Sequence, residues 1–182
     1  MDKDNRKAIE KIYFDMDGVL ANFDEGVRTL CGMEPLPQNA ERTPGYDDAL
    51  WAHIRKVPHF YNLLEPMPGA LEMFEEIYRI YGDRCEILTG IPKPHRGIAT
   101  SAEDKAEWVK RILGPDVVVH AVIRQDKKNY CKGKRTVLID DAKSNIEDWE
   151  RSGGTGILYL NAGQTLEAIR SVEDNLSQKE SL

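Results

Sequence analysis

Five short apolar runs, each stopped by turn residues and separated by helical patterns, constrain the fold of this chain more than any other feature. They are Lys11 to Met16, Cys85 to Thr89, Val117 to Ile123, Thr136 to Ile139 and Gly156 to Leu160. Continuous apolar runs of this length suit strands covered on both faces, as in a parallel sheet. Amphipathic patterns fill the gaps. Leu71, Phe74, Ile77, Tyr78 and Tyr81 recur at helical spacing after Pro68-Gly69. Ala106, Val109, Ile112 and Leu113 follow a capping-type start at Ser101-Ala102-Glu103-Asp104, and Ile146 and Trp149 precede a Gly153-Gly154 stop. Strands alternating with helices predict an α/β fold built from βαβ units with right-handed crossovers.

One region breaks the alternation. Residues 22–67 contain no strand pattern but hold Pro35, Pro37, Pro44 and Pro58, with a helical stretch from Tyr46 to Val57 carrying Trp51 and Ile54. The region reads as a small helical insertion after the first strand, with the core formed by residues 1–21 and 68–182. The polar tail after Ser171 is expected to fray.

Composition narrows the class further. A chain of 182 residues suits one α/β domain with an insertion, or a domain and a half. The net charge of −6 gives no basic excess, which argues against an extended nucleic-acid-binding face. Cys31, Cys85 and Cys131 are odd in number and far apart, in no metal-ligand spacing, and read as reduced thiols. The charged start, Met1 to Lys7, leads into no signal-type apolar run, and no segment reaches the ~20 apolar residues of a membrane span. The expected location is cytoplasmic.

Ligands of open parallel sheets gather outside the carboxyl ends of the strands. The first strand delivers Asp15 and Asp17 there, the second Thr89, the fourth Asp140 and Asp141. The loop after the third carries Arg124, Lys127, Lys128, Lys132, Lys134 and Arg135. Converging carboxylates repel one another unless a cation joins them. Oxygen-only ligands suit a hard ion such as Mg²⁺, which pairs carboxylates with phosphate oxygens. A carboxylate can attack phosphorus, a second can act as general acid and base, and a lysine and a hydroxyl can hold phosphate oxygens. This inventory matches phosphoryl transfer.

Asp15-Met16-Asp17-Gly18-Val19, Leu88-Thr89-Gly90, a lysine after the third strand and Leu138-Ile139-Asp140-Asp141 resemble, in order, the four motifs of the haloacid dehalogenase-like hydrolase superfamily. A narrower likeness is to its 5′(3′)-deoxyribonucleotidase-like branch, with its bacterial and phage relatives. It rests on Asp15 to Phe23, Met67-Pro68-Gly69-Ala70, Lys105-Ala106-Glu107-Trp108-Val109, and Asn145, Ile146, Trp149 and Gly153-Gly154. The resemblance implies a three-layer Rossmann-like fold with a small helical cap over residues 22–67. It implies Asp15 as nucleophile and Mg²⁺ ligand, and Asp17 as acid-base that also meets the metal through its carbonyl. Thr89 and Gly90 hold the phosphate, Lys127 neutralises it, and Asp140 and Asp141 complete the metal site. Lys128 is the alternative motif lysine. Lys105 belongs to the likeness without an assigned role.

The implied activity is Mg²⁺-dependent hydrolysis of a nucleoside 5′-monophosphate through an aspartyl phosphate. Alternatives are another small phosphate ester, a polynucleotide 3′-phosphate or, in another class, a binding protein of the same fold. Phe23 matches an aromatic that stacks on the base in that branch, although Asn22 stands where the branch has aspartate. Trp51 and Phe60 are further candidates for the aromatic wall. His53, His59, His95 and His120 show no spacing that points to a ligand or base role, and Trp108 and Trp149 are expected in the core. The resemblance leaves a homodimer open.

Overall fold

The structure is a computed structural model that describes residues 7–179; Met1–Arg6, in the charged start, lie outside the described residues. Five parallel strands form one sheet: β1 (Lys11–Phe14), β2 (Cys85–Ile91), β3 (Val119–Ile123), β4 (Thr136–Asp140) and β5 (Thr155–Leu158). Their order is β3-β2-β1-β4-β5. The chain winds outward from β1 to β3, then returns to the other side of β1. The strand order therefore reverses between β1 and β4, where Phe14 pairs with Ile139. The carboxyl ends on either side of such a reversal open a crevice that no crossover covers.

Alternation along the strands divides the core. Ile12, Phe14, Ile87, Val137 and Ile139 point to one face and pack with side chains of α3 (Ala70–Tyr81), α4 (Ser101–Ile112) and α6 (Ala162–Lys179). Tyr13, Leu88 and Leu138 point to the other, against Ile146 and Trp149 of α5 (Lys143–Arg151). The result is the expected three-layer α/β arrangement. In α3 the buried positions Ala70, Met73, Phe74, Ile77 and Tyr81 follow the helical period that predicted it. Among the described residues, no helix is long and apolar enough to cross a membrane.

Between β1 and α3 the chain forms α1 (Phe23–Cys31), α2 (Tyr46–Ile54) and a 3₁₀ turn at Phe60–Leu63. Asn22 caps α1 by accepting from the Glu25 N–H at 3.2 Å. The helix expected from Tyr46 to Val57 ends sooner, at Ile54. The tail after Ser171 is helical as far as it is described: α6 continues to Lys179, and Glu180–Leu182 lie outside the described residues. Glu173 explains this, since its carboxylate accepts from the Ala8 and Ile9 amides at 2.6 and 3.2 Å and from the Tyr81 hydroxyl at 3.0 Å. A polar residue that reads as solvent-exposed is thus fixed by partners distant in sequence. Strand ends shift by a residue or two: β1 stops at Phe14 and β2 runs on to Ile91.

Candidate active site

Just past β1 the backbone turns back on itself. The Met16 carbonyl accepts from Leu20 and Ala21 at 2.9 and 2.8 Å, and Gly18 takes φ = 77°. This left-handed conformation favours glycine. It is required twice over, because a Cβ on Gly18 would lie 2.0 Å from Asp141 Oδ2. The turn brings Asp15 and Asp17 to the crevice beside the end of β4.

Lys127 joins the two strands. It is buried, with Nζ 2.9 Å from Asp15 Oδ1 and 2.7 Å from Asp140 Oδ2. Burial works against its ammonium, but Asp15 and Asp140 outweigh it and raise the pKa above the ordinary lysine value. Lys128 is exposed and does not line the crevice. Asp15 Oδ1 also accepts from the Met16 amide at 2.8 Å. Burial and then Asp15 push the Asp140 pKa upward. Yet each Asp140 oxygen accepts two donors: Oδ1 from Ala142 N and Asn145 Nδ2, Oδ2 from Lys127 and Asn145 Nδ2. That set of partners describes a carboxylate, so Asp140 is ionised and fully engaged.

Asp141 is the opposite case. Its Oδ1 is buried and has no hydrogen-bond partner among the described residues. Burial first, then Asp15, Asp140 and Asp17, push its pKa up to about 8. Ligand oxygens of Asp15, Asp140 and Asp141 lie within 4.8 Å of one another. An orphaned, protonation-prone carboxylate beside two others is a donor set that fits a hard divalent cation. Asp17 does not share that group. Its Oδ2 is held by Lys105 Nζ at 2.6 Å, and its Oδ1 is a second buried oxygen without a partner. A quarter of its side chain is open to the crevice, yet burial still raises its pKa, with Lys105 opposing and Asp15 reinforcing.

Lys105 itself is completely buried. Besides Asp17 it donates to Gly90 O at 2.7 Å and Thr89 Oγ1 at 2.9 Å, and its ammonium sits 4.5 Å from the centre of the Tyr61 ring. A lysine on the buried face of α4, aligned with Trp108 and Val109, was the signal available in the sequence. What that face meets could not be read there. Thr89 is buried under this contact and does not line the crevice, whereas Gly90 does.

The crevice opens into a cavity of about 570 Å³. Asp15, Asp17, Lys127, Asp141 and Gly90 form its floor side, and Phe23, Trp51 and Tyr61 contribute aromatic walls. Phe23 opens α1 and stacks on Tyr61, with ring centres 6.3 Å apart. Phe60, expected in the wall, is instead buried edge-on behind Phe23 at 5.6 Å; Tyr61, its neighbour, takes the wall position. The 3₁₀ turn decides which of the two adjacent rings faces in. At the far rim, Arg96 lies over the Trp51 ring at 5.8 Å and donates to Asp48 Oδ1 at 2.8 Å. His95 also lines the cavity, His59 bonds Asp104 at 2.7 Å, His120 bonds Glu86 at 2.7 Å, and His53 bonds the Ala49 carbonyl. All three cysteines are free thiols.

A reversed parallel sheet with two aspartates after β1, an aspartate pair at the end of β4 and a buried lysine between them defines a haloacid dehalogenase-like hydrolase. Within that class, residues 7–165 match the family described as 5′ nucleotidase, deoxy (pyrimidine), cytosolic type C protein, and the chain belongs to that family. It is an enzyme of the phosphatase class. The human cytosolic-type 5′(3′)-deoxyribonucleotidase is 30% identical over 148 residues, covering 72% of this chain and 70% of the relative. A putative 5′(3′)-deoxyribonucleotidase of the Vibrio phage KVP40 is 29% identical over 135 residues, covering 74% and 67%. The human mitochondrial 5′(3′)-deoxyribonucleotidase is 26% identical over 146 residues, covering 72% of this chain and 61% of the relative.

Proposed function

We propose that this chain hydrolyses nucleoside 5′-monophosphates, deoxynucleotides among them, through a phosphorylated Asp15. The observation that carries the reading is that Asp15, Asp17, Lys127 and Asp141 line one cavity with Phe23, Trp51 and Tyr61. The phosphate-handling groups and a stacking surface thus face the same space. A base between aromatic walls gains about 1–3 kcal/mol of stacking. The substrate phosphate lies at the carboxylate floor and the base toward Phe23 and Trp51, under residues 22–67, which act as a small cap on a core of residues 1–21 and 68–182.

Asp15 attacks phosphorus as the ester P–O bond breaks. Asp17, whose raised pKa favours the acid form, gives its proton to the leaving oxygen. Lys105, bonded to Oδ2, fixes the orientation of this carboxyl group. Asp17, now a carboxylate, takes a proton from water as that water attacks phosphorus and frees phosphate and Asp15. Lys127 holds positive charge beside Asp15 through both steps, and Gly90 borders the phosphate position, backed by Thr89. Mg²⁺, when bound, would offset phosphate charge; Asp15, the Asp17 carbonyl and Asp141 would hold it, since Asp140 is committed to Lys127, Asn145 and Ala142. Positioning and preorganised charge supply the catalysis.

Phosphate release should be measured over a panel of nucleotides, sugar phosphates and 3′-phosphorylated oligonucleotides, with and without Mg²⁺. Nucleotide turnover abolished by Asp15→Asn is the expected outcome. Equal turnover of sugar phosphates removes the nucleotide assignment, and no turnover of any ester favours the binding protein.

A further inference from the structure

The stretch between α1 and α2 passes over the cavity and presents Gln38 to it. The next residue, Asn39, does not line the cavity but reaches the chain just past β4. Its Nδ2 donates to the Asp141 carbonyl at 2.8 Å, and its Oδ1 accepts from the Lys143 amide at 2.9 Å. One side-chain amide therefore holds a backbone carbonyl of the loop that joins β4 to α5 and the first amide of α5. Lys143 begins α5, so its N–H has no acceptor within the helix. Asn39 supplies one from a segment about a hundred residues earlier in the chain.

Asp141 is confined from the other side by Gly18, whose missing Cβ leaves room for its carboxylate. Its Oδ1 makes no hydrogen bond among the described residues, so no partner aims that oxygen. Its aim depends on where its backbone is held, and Asn39 is the side chain that holds the carbonyl. We propose that Asn39 is a positioning residue for Asp141. It couples the seating of the segment over the cavity to the placement of the carboxylate that would meet Mg²⁺. The inference rests on the Mg²⁺-dependent phosphatase reading above. Such coupling is reciprocal: a cation at Asp141 would in turn steady the segment that carries Gln38 to the substrate.

Mg²⁺ binding to the full chain, measured calorimetrically without substrate, tests this. Groups that orient a metal ligand are worth about 10- to 100-fold in affinity, and both Asn39 bonds are exposed. Asn39→Ala is therefore expected to weaken Mg²⁺ binding by about tenfold, the low end of that range. Its melting temperature in EDTA should stay near that of the parent, and excess Mg²⁺ should restore kcat. Unchanged Mg²⁺ affinity in folded Asn39→Ala overturns the coupling, whether KM or the melting temperature moves or not. Asp141→Ala separates the two levels of the argument. If it also binds Mg²⁺ as the parent does, the metal assignment falls together with the coupling.

Discussion

Replacing Lys105 with methionine probes the part of the site that the motifs left without a role. Methionine fills the same channel but donates nothing. Three acceptors lose their donor: Asp17 Oδ2, Gly90 O and Thr89 Oγ1. Removing one partner of a buried ion pair costs about 3–5 kcal/mol, because the other charge stays behind unpaired. Asp17 retains a quarter of its side-chain exposure, which places the cost at the lower end. A loss of about 3 kcal/mol lowers the melting temperature by about 6–12 °C in a chain of this size. The pH dependence should change in a direction fixed by the charges. Lys105 opposes the burial that raises the Asp17 pKa, so without it that pKa rises further. The acid form then persists to higher pH, and the base needed for the second step becomes scarce near neutrality. The expected readouts are a slower kcat, an alkaline-shifted profile and phospho-Asp15 accumulating in acid-quenched samples. A double variant with Asp17→Asn should lose less than additively, since no stranded charge remains. Melting within about 2 °C of the parent, under the ~1 kcal/mol that such a shift represents, together with an unshifted profile, refutes this account of Lys105.

Further predictions concern the same crevice. Gly18→Ala places a Cβ 2.0 Å from Asp141 Oδ2 in a left-handed conformation; Mg²⁺-dependent turnover should be lost, and calorimetry should show weakened Mg²⁺ binding. Lys127→Ala should reduce kcat strongly while Lys128→Ala leaves it near normal, since only Lys127 reaches Asp15; the reverse result in steady-state assays moves the motif lysine by one. Asp141 has a folded pKa of about 8, above its ordinary unfolded value, so its contribution to stability is present at low pH and lost as pH rises toward 8. At about 1.4 kcal/mol per pKa unit this is several kcal/mol at most. Melting curves in EDTA should fall from pH 5 to 8, and either Mg²⁺ or Asp141→Asn should flatten the fall. Phe23→Ala should raise KM for nucleotides by about 5- to 150-fold, from about 1–3 kcal/mol of lost stacking, while leaving KM for a small aryl phosphate nearly unchanged.

The opening aspartates show how far local pattern reaches. Asp15, Asp17, Asp140 and Asp141 were legible because strand ends in a parallel sheet converge, and because an apolar run broken by a carboxylate marks such an end. The same pattern could not divide labour between Asp140 and Asp141. Their separate roles come from Asn145, Lys127 and Ala142, which surround one and leave an oxygen of the other bare. The sequence put Phe60 in the wall where the structure places Tyr61, because the two rings are adjacent in the chain and only the packing of the 3₁₀ turn on α4 and α1 orients them.

The residues missed or left without a role share a physical signature. Lys105, Glu173 and Asn39 are polar side chains whose partners lie 15 to 165 residues away. Such partners leave no periodicity, and a lysine or asparagine in a helix or turn reads as solvated surface. By itself, the sequence determined the layer architecture, the phosphatase class and the carboxylates that gather at the strand ends, because these follow from period, strand ends and the chemistry of carboxylates. Only the tertiary structure decided which carboxylate oxygen is left without a partner among the described residues, which lysine holds Asp17 and how the segment over the cavity reaches the loop after β4. Those outcomes depend on burial and on hydrogen-bond partners, and both arise only when distant segments are brought together.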